Sequence, residues 1–274
     1  MAREHLEDIE FTIFDTETTG LDPESGDRIV EIAAIRLKGP KKLATFQSLI
    51  NPSRPISEAA FNINHISADM LKNAPAASKI IPDFLDFIQG SYLCSYNATF
   101  DLEFLNYELK LLGKSALEDV LVIDVLKMAR RLLPGLERYA LWFVAERLGI
   151  KNKQEHRALS DVEFTLKVFN IFKEMLYTKG IFDTLNFTHL FSITPKAIED
   201  LNNQKIAKIQ EAIDLGVAIK MQYLSSVAAE VTEREVIPRE IKQDKKNLYL
   251  IGFCNLRNDE RTFRIDGILH LEIV

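Results

Sequence analysis

Short apolar runs and longer helical stripes alternate along the first 176 residues of the chain. Runs rich in Ile, Val, Leu and Phe predict strands at residues 11–14, 28–37, 43–50, 92–96 and 120–124. Apolar residues that recur every three or four positions predict helices at residues 80–88, 98–112, 126–133 and 139–148, with a last helix ending near residue 176. Such a mixture is typical of an α/β domain with helices around a sheet.

The pattern changes after a predicted helix at residues 196–215, which ends at Gly216. Five β-rich runs separated by polar turns follow, at residues 217–223, 231–241, 248–254, 261–265 and 268–273. We therefore predict an α/β domain at residues 1–180, a linker at 181–195 where the periodicity fades, and a small all-β domain at 196–274.

Composition narrows the function classes only a little. The 274 residues include 34 Lys and Arg against 40 Asp and Glu, so no long-range positive field indicates a protein that coats nucleic acid. A nuclease with a metal-loaded acidic site stays compatible with this charge, because the metals supply positive charge locally. Cys94 and Cys254 lie in apolar runs without metal-ligand spacing, which predicts buried free thiols. We expect a cytoplasmic protein without a membrane partner, since no stretch resembles a signal sequence or a membrane span.

The segment FTIFDTETTG at residues 11–20 holds the most informative chemistry. Asp15 and Glu17 are two residues apart at the end of a predicted strand, so their side chains project to the same side. Two like charges held this close require either a retained proton or a cation between them. Oxygen ligands of this kind suit Mg²⁺ or Mn²⁺.

Three further polar residues stand beside predicted helix starts. Asp101 opens the helix at residues 98–112, and the segment HRALSD places His156 before the last helix and Asp161 in its first turn. Because a spacing of five is poor for one helix face, we expect His156 on the preceding loop. Two metals about 4 Å apart can clamp a phosphodiester while an imidazole deprotonates the attacking water. The set therefore predicts metal-assisted phosphodiester hydrolysis.

Three motifs in this order, DTETTG, YNATFDLEFL and HRALSD, resemble the signature motifs of the DEDDh 3′–5′ exonucleases, the family of the proofreading epsilon subunit of bacterial replicative polymerase. The resemblance covers residues 8–176 and extends to the stretch that begins VIDVLKMARRLL at Val122. It implies an RNase H-like fold, with a mixed sheet flanked by helices. It also implies two Mg²⁺ or Mn²⁺ ions and release of nucleoside 5′-monophosphates from 3′ ends.

The resemblance also implies roles for individual residues. Asp15, Glu17 and Asp161 would bind metal directly, Asp101 would hold a second metal partly through water, and His156 would be the general base. The residues implied to contact the terminal nucleotide are Thr16, Thr18, Gly20, Leu21, Asn64, His65, Asn97 and Phe104.

Some of these residues have structural interpretations as well. Phe104 fits a core position as well as a base wedge. The chain departs from the family at Tyr96, where His is common, and at Asn64-His65, where His-Gly is common. We assign structural roles to Glu31 and to Asp124, which ends a strand.

The C-terminal segments IKMQYLSS, REVIP, LYLIGFC and RTFRIDGI resemble a WYL domain, a small Sm-like or SH3-like β-barrel of bacterial regulators. The resemblance implies a surface for nucleic-acid or nucleotide ligands at Tyr223, Arg261 and Arg264, whereas Gly267 replaces a basic residue common there. Arginine suits phosphate and tyrosine offers a stacking face. An equally weighted alternative pairs the arginines with nearby acids, Asp259, Glu260 and Asp266.

Several functions remain open at this point. We expect a stand-alone, metal-dependent exonuclease that acts on 3′ ends of single-stranded DNA, with a β-domain that binds single-stranded nucleic acid or a regulatory ligand. One alternative is an exonuclease acting on RNA or oligoribonucleotides, and another is a proofreading subunit that needs a polymerase partner. A third is a ligand-sensing regulator that keeps the nuclease fold as a scaffold, and the presence of all five catalytic side-chain types argues against it.

Overall fold

Two sheets organise the residues that the computed structural model describes, 4–151, 156–245 and 247–274. The first sheet is built on β1 (Glu10–Thr18), which pairs antiparallel with β2 (Ile29–Lys38), and β2 pairs antiparallel with β3 (Lys41–Leu49). On the other side β1 pairs parallel with β4 (Tyr92–Ser95), and β4 with β5 (Val122–Asp124). The strand order β3-β2-β1-β4-β5 is therefore a mixed sheet, as the sequence predicts.

Helices cover both faces of this sheet. They are α1 (Glu58–Asn64), α2 (Ala68–Lys72), α3 (Ala77–Ile88), α4 (Ala98–Leu111), α5 (Val125–Leu132), α6 (Leu141–Arg147), α7 (Ala158–Tyr177) and α8 (Thr184–Phe191). Because side chains alternate along a strand, Phe11 and Ile13 of β1 pack in the core with α5 to α8, whereas Phe14 packs in the opposite core with α3 and α4. The sheet is the middle layer between two apolar cores.

The structure differs from the predicted linker at residues 181–195. Helix α8 occupies the middle of this segment, and its Phe187, Leu190 and Phe191 are buried in the core beside α7. The helical stripe is only eight residues long, and Thr, Asn and His interrupt it, so the sequence periodicity is weak there. This segment is a packed part of the first unit rather than a linker.

The long helix α9 (Pro195–Leu215) leads into the second sheet. Its strands are β6 (Ile219–Leu224), β7 (Val231–Asp244), β8 (Asn247–Cys254), β9 (Asp259–Arg264) and β10 (Ile268–Ile273). They pair antiparallel in the order β10-β6-β7-β8-β9. Ile209 and Ala212 of α9 are buried in the core of this C-terminal sheet.

A 3-10 turn, Ile265–Gly267, joins β9 to β10 and requires glycine at its last position. A Cβ atom at Gly267 would lie 2.7 Å from Cε2 of Tyr223, closer than two non-bonded carbon atoms can approach. Any larger residue at this position would therefore displace the tyrosine ring.

The C-terminal sheet packs against the first unit through apolar and polar contacts. Leu224 and Leu269 are buried in the same apolar cluster as α5, α7 and α8. Beside them, Arg131 Nη2 of α5 donates to Asp266 Oδ1 at 3.3 Å. We call the polar side chains at this contact the interface cluster: Lys127, Arg131, His189, Asn202, Lys205, Arg264 and Asp266.

Two other sequence predictions can be checked here. Cys94 and Cys254 are free and buried, one in the core of each sheet, as predicted. Within the described residues, no helix combines the length and the apolar character needed to cross a membrane.

Candidate active site

Strand β1 carries Asp15 and Glu17 on the same face as Phe11 and Ile13, the face that α7 covers. The pairing of β1 with β2 shifts register between Glu17 and Thr18, so the strand ends just past the two carboxylates. Helix α7 brings Asp161 to the same place in its first turn. A carboxylate oxygen of each of Asp15, Glu17 and Asp161 lies within 4.8 Å of the others.

Asp101 lies next to this group but is held by other partners. It is 3% exposed in the first turn of α4. Its Oδ1 accepts hydrogen bonds from Thr16 N at 2.9 Å and Thr16 Oγ1 at 2.7 Å, and its Oδ2 accepts one from Ser95 Oγ at 2.5 Å. The structure therefore gathers Asp15, Glu17 and Asp161 in one ligand-sized group, and fixes Asp101 beside them through the backbone of β1.

Burial and the charges of neighbouring carboxylates raise the pKa values of Asp15 and Glu17. Burial raises the pKa of Asp15 well above its usual range, and the charges of Asp101, Glu17 and Asp161 add to the effect. Burial, with the charges of Asp161 and Glu31, raises the pKa of Glu17 to about 8. Burial also raises the pKa of Asp101 to about 6, although hydrogen bonds from Ser95 and Thr16 oppose the shift. Concentrated negative charge of this kind favours a bound cation.

The donor set fits a hard divalent metal ion. Asp15, Glu17 and Asp161 offer only carboxylate oxygens, the ligands that Mg²⁺ and Mn²⁺ prefer. Nitrogen and sulfur donors, which would indicate zinc, are absent from this group of described residues. Asp15 and Glu17 also keep part of their surface open, so an ion could bind and contact a substrate.

Glu31 and Arg157 hold the start of α7 against the sheet. Glu31 lies opposite Glu17 in the β1–β2 ladder and is fully buried. It accepts Arg157 Nε at 2.9 Å, Arg157 Nη2 at 2.8 Å and the backbone N–H of Ala158 at 3.1 Å. These bonds fix the segment between His156 and Asp161. Glu31 was predicted to be structural, and a single carboxylate inside the apolar run IVEIAAI is the sequence signal for a buried ion pair of this kind.

Asp124 likewise does more than end a strand. Its Oδ1 accepts hydrogen bonds from Leu126 N at 2.9 Å, Asn97 N at 3.1 Å and Ala98 N at 3.4 Å. One carboxylate therefore caps α5 and also satisfies the backbone at the start of α4, whose first turn carries Asp101. Asn97 adopts a left-handed conformation there, with φ 66°, which asparagine tolerates better than most residues.

His156 lies in a bend directly before α7, as the spacing predicts, and its side chain is exposed. Its backbone is left-handed, with φ 50°. The general-base role of His156 stays a prediction from the resemblance.

The turn after β1 places several of the residues predicted to contact a nucleotide. Thr18 Oγ1 donates to the carbonyl of Gly20 at 2.6 Å, and a Cβ at Gly20 would lie 2.2 Å from the carboxylate of Asp27. Leu21 follows with its side chain 82% exposed. An exposed leucine beside a carboxylate group offers an apolar contact for a ligand.

Asn64 and His65, at the end of α1, differ in their relation to the site. Asn64 is buried, donates from Nδ2 to the carbonyl of Thr18 at 3.4 Å, and hydrogen-bonds the Glu17 carboxylate. His65 caps the helix in a left-handed conformation with its side chain exposed. The structure thus brings Asn64, but not His65, into contact with a site carboxylate.

The structure contradicts the prediction that Phe104 wedges against a base. Its ring is 1% exposed and packs in the core between α3 and α4, with its centroid 4.9 Å from that of Phe100. Phe104 is one turn past Asp101 on α4, and that face points into the protein. The partly exposed aromatic ring of this helix turn is Phe100.

The predicted ligand surface of the C-terminal sheet is also divided. Arg261 and Arg264 are three residues apart on β9, so they project to opposite faces of the strand. Arg264 donates to Asp266 at 2.6 Å and to Asn247 at 3.2 Å, and its backbone N–H donates to Tyr223 Oη at 3.4 Å. Arg261 is exposed, 3.7 Å from Asp259. This arrangement agrees with the alternative prediction, in which the arginines pair with neighbouring acids. Arg264 faces the first unit.

The arrangement of carboxylates can be compared with known families. A family model described as exonuclease (RNase T) matches residues 12–169, and a WYL domain model matches residues 204–273. The first match covers more than half of the chain and contains every residue of the carboxylate group. The chain belongs to the exonuclease family. Family membership indicates nuclease activity that depends on divalent metals, and the carboxylate group described above is present for them.

Curated relatives are similar in the same region. The exonuclease chain is 43% identical over 165 residues to the DNA polymerase III subunit epsilon of Treponema pallidum, covering 60% of this chain and 76% of that protein. It is 37% identical over 172 residues to the PolC-type DNA polymerase III of Caldanaerobacter subterraneus, of which it spans 12%.

Solved structures show the same fold. Exonuclease X in complex with 5′ overhanging duplex DNA is 28% identical, with a TM-score of 0.50, and the match covers 62% of this chain and 93% of that one. A zinc-bound Escherichia coli ExoI–ssDNA complex matches with a TM-score of 0.59 at 14% identity, covering 97% of this exonuclease and 64% of that chain. The second likeness concerns the fold alone, and it extends over both sheets.

Proposed function

We propose that this exonuclease hydrolyses phosphodiester bonds from the 3′ end of single-stranded DNA and releases nucleoside 5′-monophosphates, using two divalent ions, Mg²⁺ or Mn²⁺. The observation that carries the proposal is the convergence of Asp15, Glu17 and Asp161 from separate elements into one group. Such a group is costly to assemble without a cation, and divalent ions between carboxylates are suited to phosphodiester cleavage.

Asp15, Glu17 and Asp161 would hold the metal, and Asp101 would complete a second site with an oxygen or through water. When bound, the ions supply a polarised water and positive charge for the oxygens of the cleaved phosphate. The hydrogen bonds from Thr16 and Ser95 keep Asp101 oriented and favour its charged form. Arg157, paired with Glu31, keeps Asp161 aligned with Glu17 across the sheet.

His156 would take the proton from the attacking water. Its exposed position before α7 lets it pass that proton to solvent after each cycle. The 3′-terminal nucleotide would lie against the turn after β1, with its base on Leu21, the most exposed apolar side chain of that turn.

A preference for DNA rests on the relatives. Both proteins with the quoted identities of 43% and 37% are named as DNA polymerase III components. A polymerase partner is not required by the arrangement of the carboxylates, and we propose that the exonuclease acts alone.

The test uses a single-stranded DNA 20-mer labelled at its 5′ end. We expect a ladder that shortens from the 3′ end with Mn²⁺, no cleavage in EDTA, and no cleavage by Asp15→Ala. Chromatography of the products should show nucleoside 5′-monophosphates, and an RNA of the same sequence should react more slowly. Internal cuts, or equal cleavage in EDTA, would refute the proposal. Faster cleavage of RNA would show that the substrate is RNA rather than DNA.

A further inference from the structure

The exposed tryptophan of helix α6 stands out on the surface of the nuclease unit. Trp142 is the only tryptophan of the chain and is 44% exposed. Arg138 lies 5.9 Å from its ring centroid, and the guanidinium of Arg147 lies 5.0 Å from the ring of the neighbouring Phe143. We call Arg138, Trp142 and Arg147 the aromatic–arginine patch.

Two contacts connect the segment that carries the patch to elements beside the carboxylates. Tyr96, two residues before α4, donates from its hydroxyl to the carbonyl of Tyr139 at 2.7 Å. Helix α6 also packs on α7, whose first turn carries Asp161. The patch is thus fixed to both helices that present catalytic carboxylates.

The charge of this stretch differs from that of the whole chain. Residues 125–157 contain eight Lys and Arg against three Glu, and of these cations Lys127, Arg131 and Arg157 have partners in other parts of the structure. Arg138 and Arg147 are exposed at the surface of this stretch, and Arg138 forms an exposed ion pair with Glu137 at 3.1 Å. Local positive charge beside a flat aromatic face is the combination that holds single-stranded nucleic acid without reading its sequence.

We propose that the aromatic–arginine patch binds the single strand a few nucleotides upstream of the 3′ end, with a base stacked on Trp142 and backbone phosphates near Arg138 and Arg147. This inference rests on the proposed function and adds a substrate-holding site that is separate from the metal ligands. Its consequence is a preference for long strands over mononucleotide substrates, because only a strand can reach both places.

The test compares two substrates in the full-length protein with Mn²⁺. A dT20 oligonucleotide spans the metal site and the patch, whereas the 4-nitrophenyl ester of thymidine 5′-phosphate reaches only the metal site. We expect Trp142→Ala to raise KM for dT20 about tenfold, the loss typical of one stacked base, and to leave ester hydrolysis within about twofold. Trp142→Phe should recover most of the difference, since a phenyl ring also stacks.

Phe182→Ala is the matched control. Phe182 is 49% exposed and stacks on His5, near the beginning of β1 and so at the opposite end of the strand from the carboxylates. A KM for dT20 in Trp142→Ala equal to that of Phe182→Ala would overturn the proposal, provided that both variants melt at the wild-type temperature.

The arginines are tested by the salt dependence of binding. Arg138→Gln and Arg147→Gln should each lower the slope of log affinity for dT20 against log salt by about 0.7, the value for one contact to single-stranded DNA. Lys42→Gln, an exposed charge in the β2–β3 hairpin at the far end of the sheet, should leave the slope unchanged. Unchanged slopes in both arginine variants would show that neither arginine contacts a phosphate.

The two proposals fail in different ways. If neither substrate is cleaved with Mn²⁺, the proposed function fails, and fluorescence anisotropy of labelled dT20 still decides on the patch. Weaker binding by Trp142→Ala than by Phe182→Ala would then support the patch alone. Equal binding would overturn it.

Discussion

The carboxylate group and the interface cluster are opposite solutions to the burial of charge. The first gathers Asp15, Glu17 and Asp161, with Asp101 beside them, and all four are acids. The second surrounds one carboxylate, Asp266, with cations that include Lys127, Arg131 and Arg264. Both are largely shielded from water, where unbalanced charge is expensive.

The pKa values show how each region is compensated. Burial opposes the ionisation of Asp266, but the charges of Arg131 and Arg264 outweigh it and lower its pKa to about 2. In contrast, burial and neighbouring charges raise the pKa of Glu17 to about 8. The interface cluster therefore contains its own counter-ion, whereas the carboxylate group depends on one from solution. An uncompensated buried charge indicates a binding site, and a compensated one indicates a structural contact.

Removing one negative charge should therefore have opposite effects on activity and on stability at the carboxylate group. We expect Asp15→Asn to lower the rate of cleavage by about a thousandfold or more, because an amide is a weaker metal ligand than a carboxylate. A thousandfold corresponds to about 4 kcal/mol of lost transition-state stabilisation. In EDTA the same variant should melt above wild type, because the folded state no longer has to bury an ionisable carboxyl beside the other acids. Oligonucleotide cleavage and calorimetry measure the two effects.

Added Mn²⁺ gives the control for this variant. It should raise the melting temperature of the wild type and should raise that of Asp15→Asn much less. A variant that melts below wild type in EDTA would contradict the view that the carboxylates repel one another in the metal-free protein.

At the interface cluster the corresponding change should destabilise the protein. Asp266→Asn leaves Arg131, whose side chain is 7% exposed, without its counter-ion. We expect a loss of about 3 kcal/mol in the free energy of unfolding, as for other broken buried pairs. Urea unfolding measures it, and Asp259→Asn, on an exposed pair with Arg261, should leave stability within experimental error. Equal stability of the two variants would show that the cluster does not hold the sheets together.

The buried ion pair of Glu31 and Arg157 lies beside the carboxylates and should affect catalysis. Glu31→Gln should lower kcat about tenfold to a hundredfold, because the start of α7 would no longer hold Asp161 and His156 in place. Glu10→Gln is the matched control. It weakens a pair with Arg36 between β1 and β2, at the end of β1 opposite the carboxylates, and should leave kcat unchanged.

A higher Mn²⁺ requirement in Glu31→Gln would show that Glu31 positions the metal ligands rather than only stabilising the fold. If the segment moves, half-maximal activity should require more Mn²⁺, whereas Glu10→Gln should keep the wild-type requirement. Equal kcat values for both variants would show that the ion pair has no role in positioning.

These pairs also show how far the sequence could predict the structure. Asp15, Glu17 and Asp161 were predictable because strand alternation and a helix start fix their directions locally. The pairing of Glu31 with Arg157, 126 residues later in the chain, depends on tertiary contact and leaves no local pattern. The choice between a core position and a base wedge for Phe104 could not be made from the sequence for the same reason, because the neighbours of an amphipathic helix decide which of its faces is buried. The helical core at residues 184–191 was missed because it is short and interrupted by polar residues.

The pH dependence of stability should distinguish the metal-free from the metal-bound state. Because the pKa of Glu17 is raised from 4.5 to about 8, the folded protein retains a proton that the unfolded chain releases in this range. In EDTA, stability should therefore fall as pH rises from about 4.5 to 8. Mn²⁺ binds the ionised carboxylates, so the rise in melting temperature that it causes should grow over the same range. A constant metal-induced shift between pH 5 and pH 8 would contradict this expectation.

Lys205 in the interface cluster should give a pH dependence of the opposite sign. Its Nζ approaches His189 Nδ1 at 2.8 Å and donates to the carbonyl of Ile268. Burial lowers its pKa to about 7, with opposition from Asp266 and Asp183 and support from Arg131.

The folded state therefore releases a proton that the unfolded chain keeps up to about pH 10.5, so this residue makes stability rise with pH between about 7 and 10. Lys205→Met should flatten this part of the melting profile, and Lys208→Met, an exposed position on the same helix, should leave it intact. An unchanged slope in Lys205→Met would mean that the cations of the cluster are compensated as a group by Asp266 and the backbone carbonyls. The interface cluster would then differ even more from the carboxylate group, whose charges depend on an ion from solution.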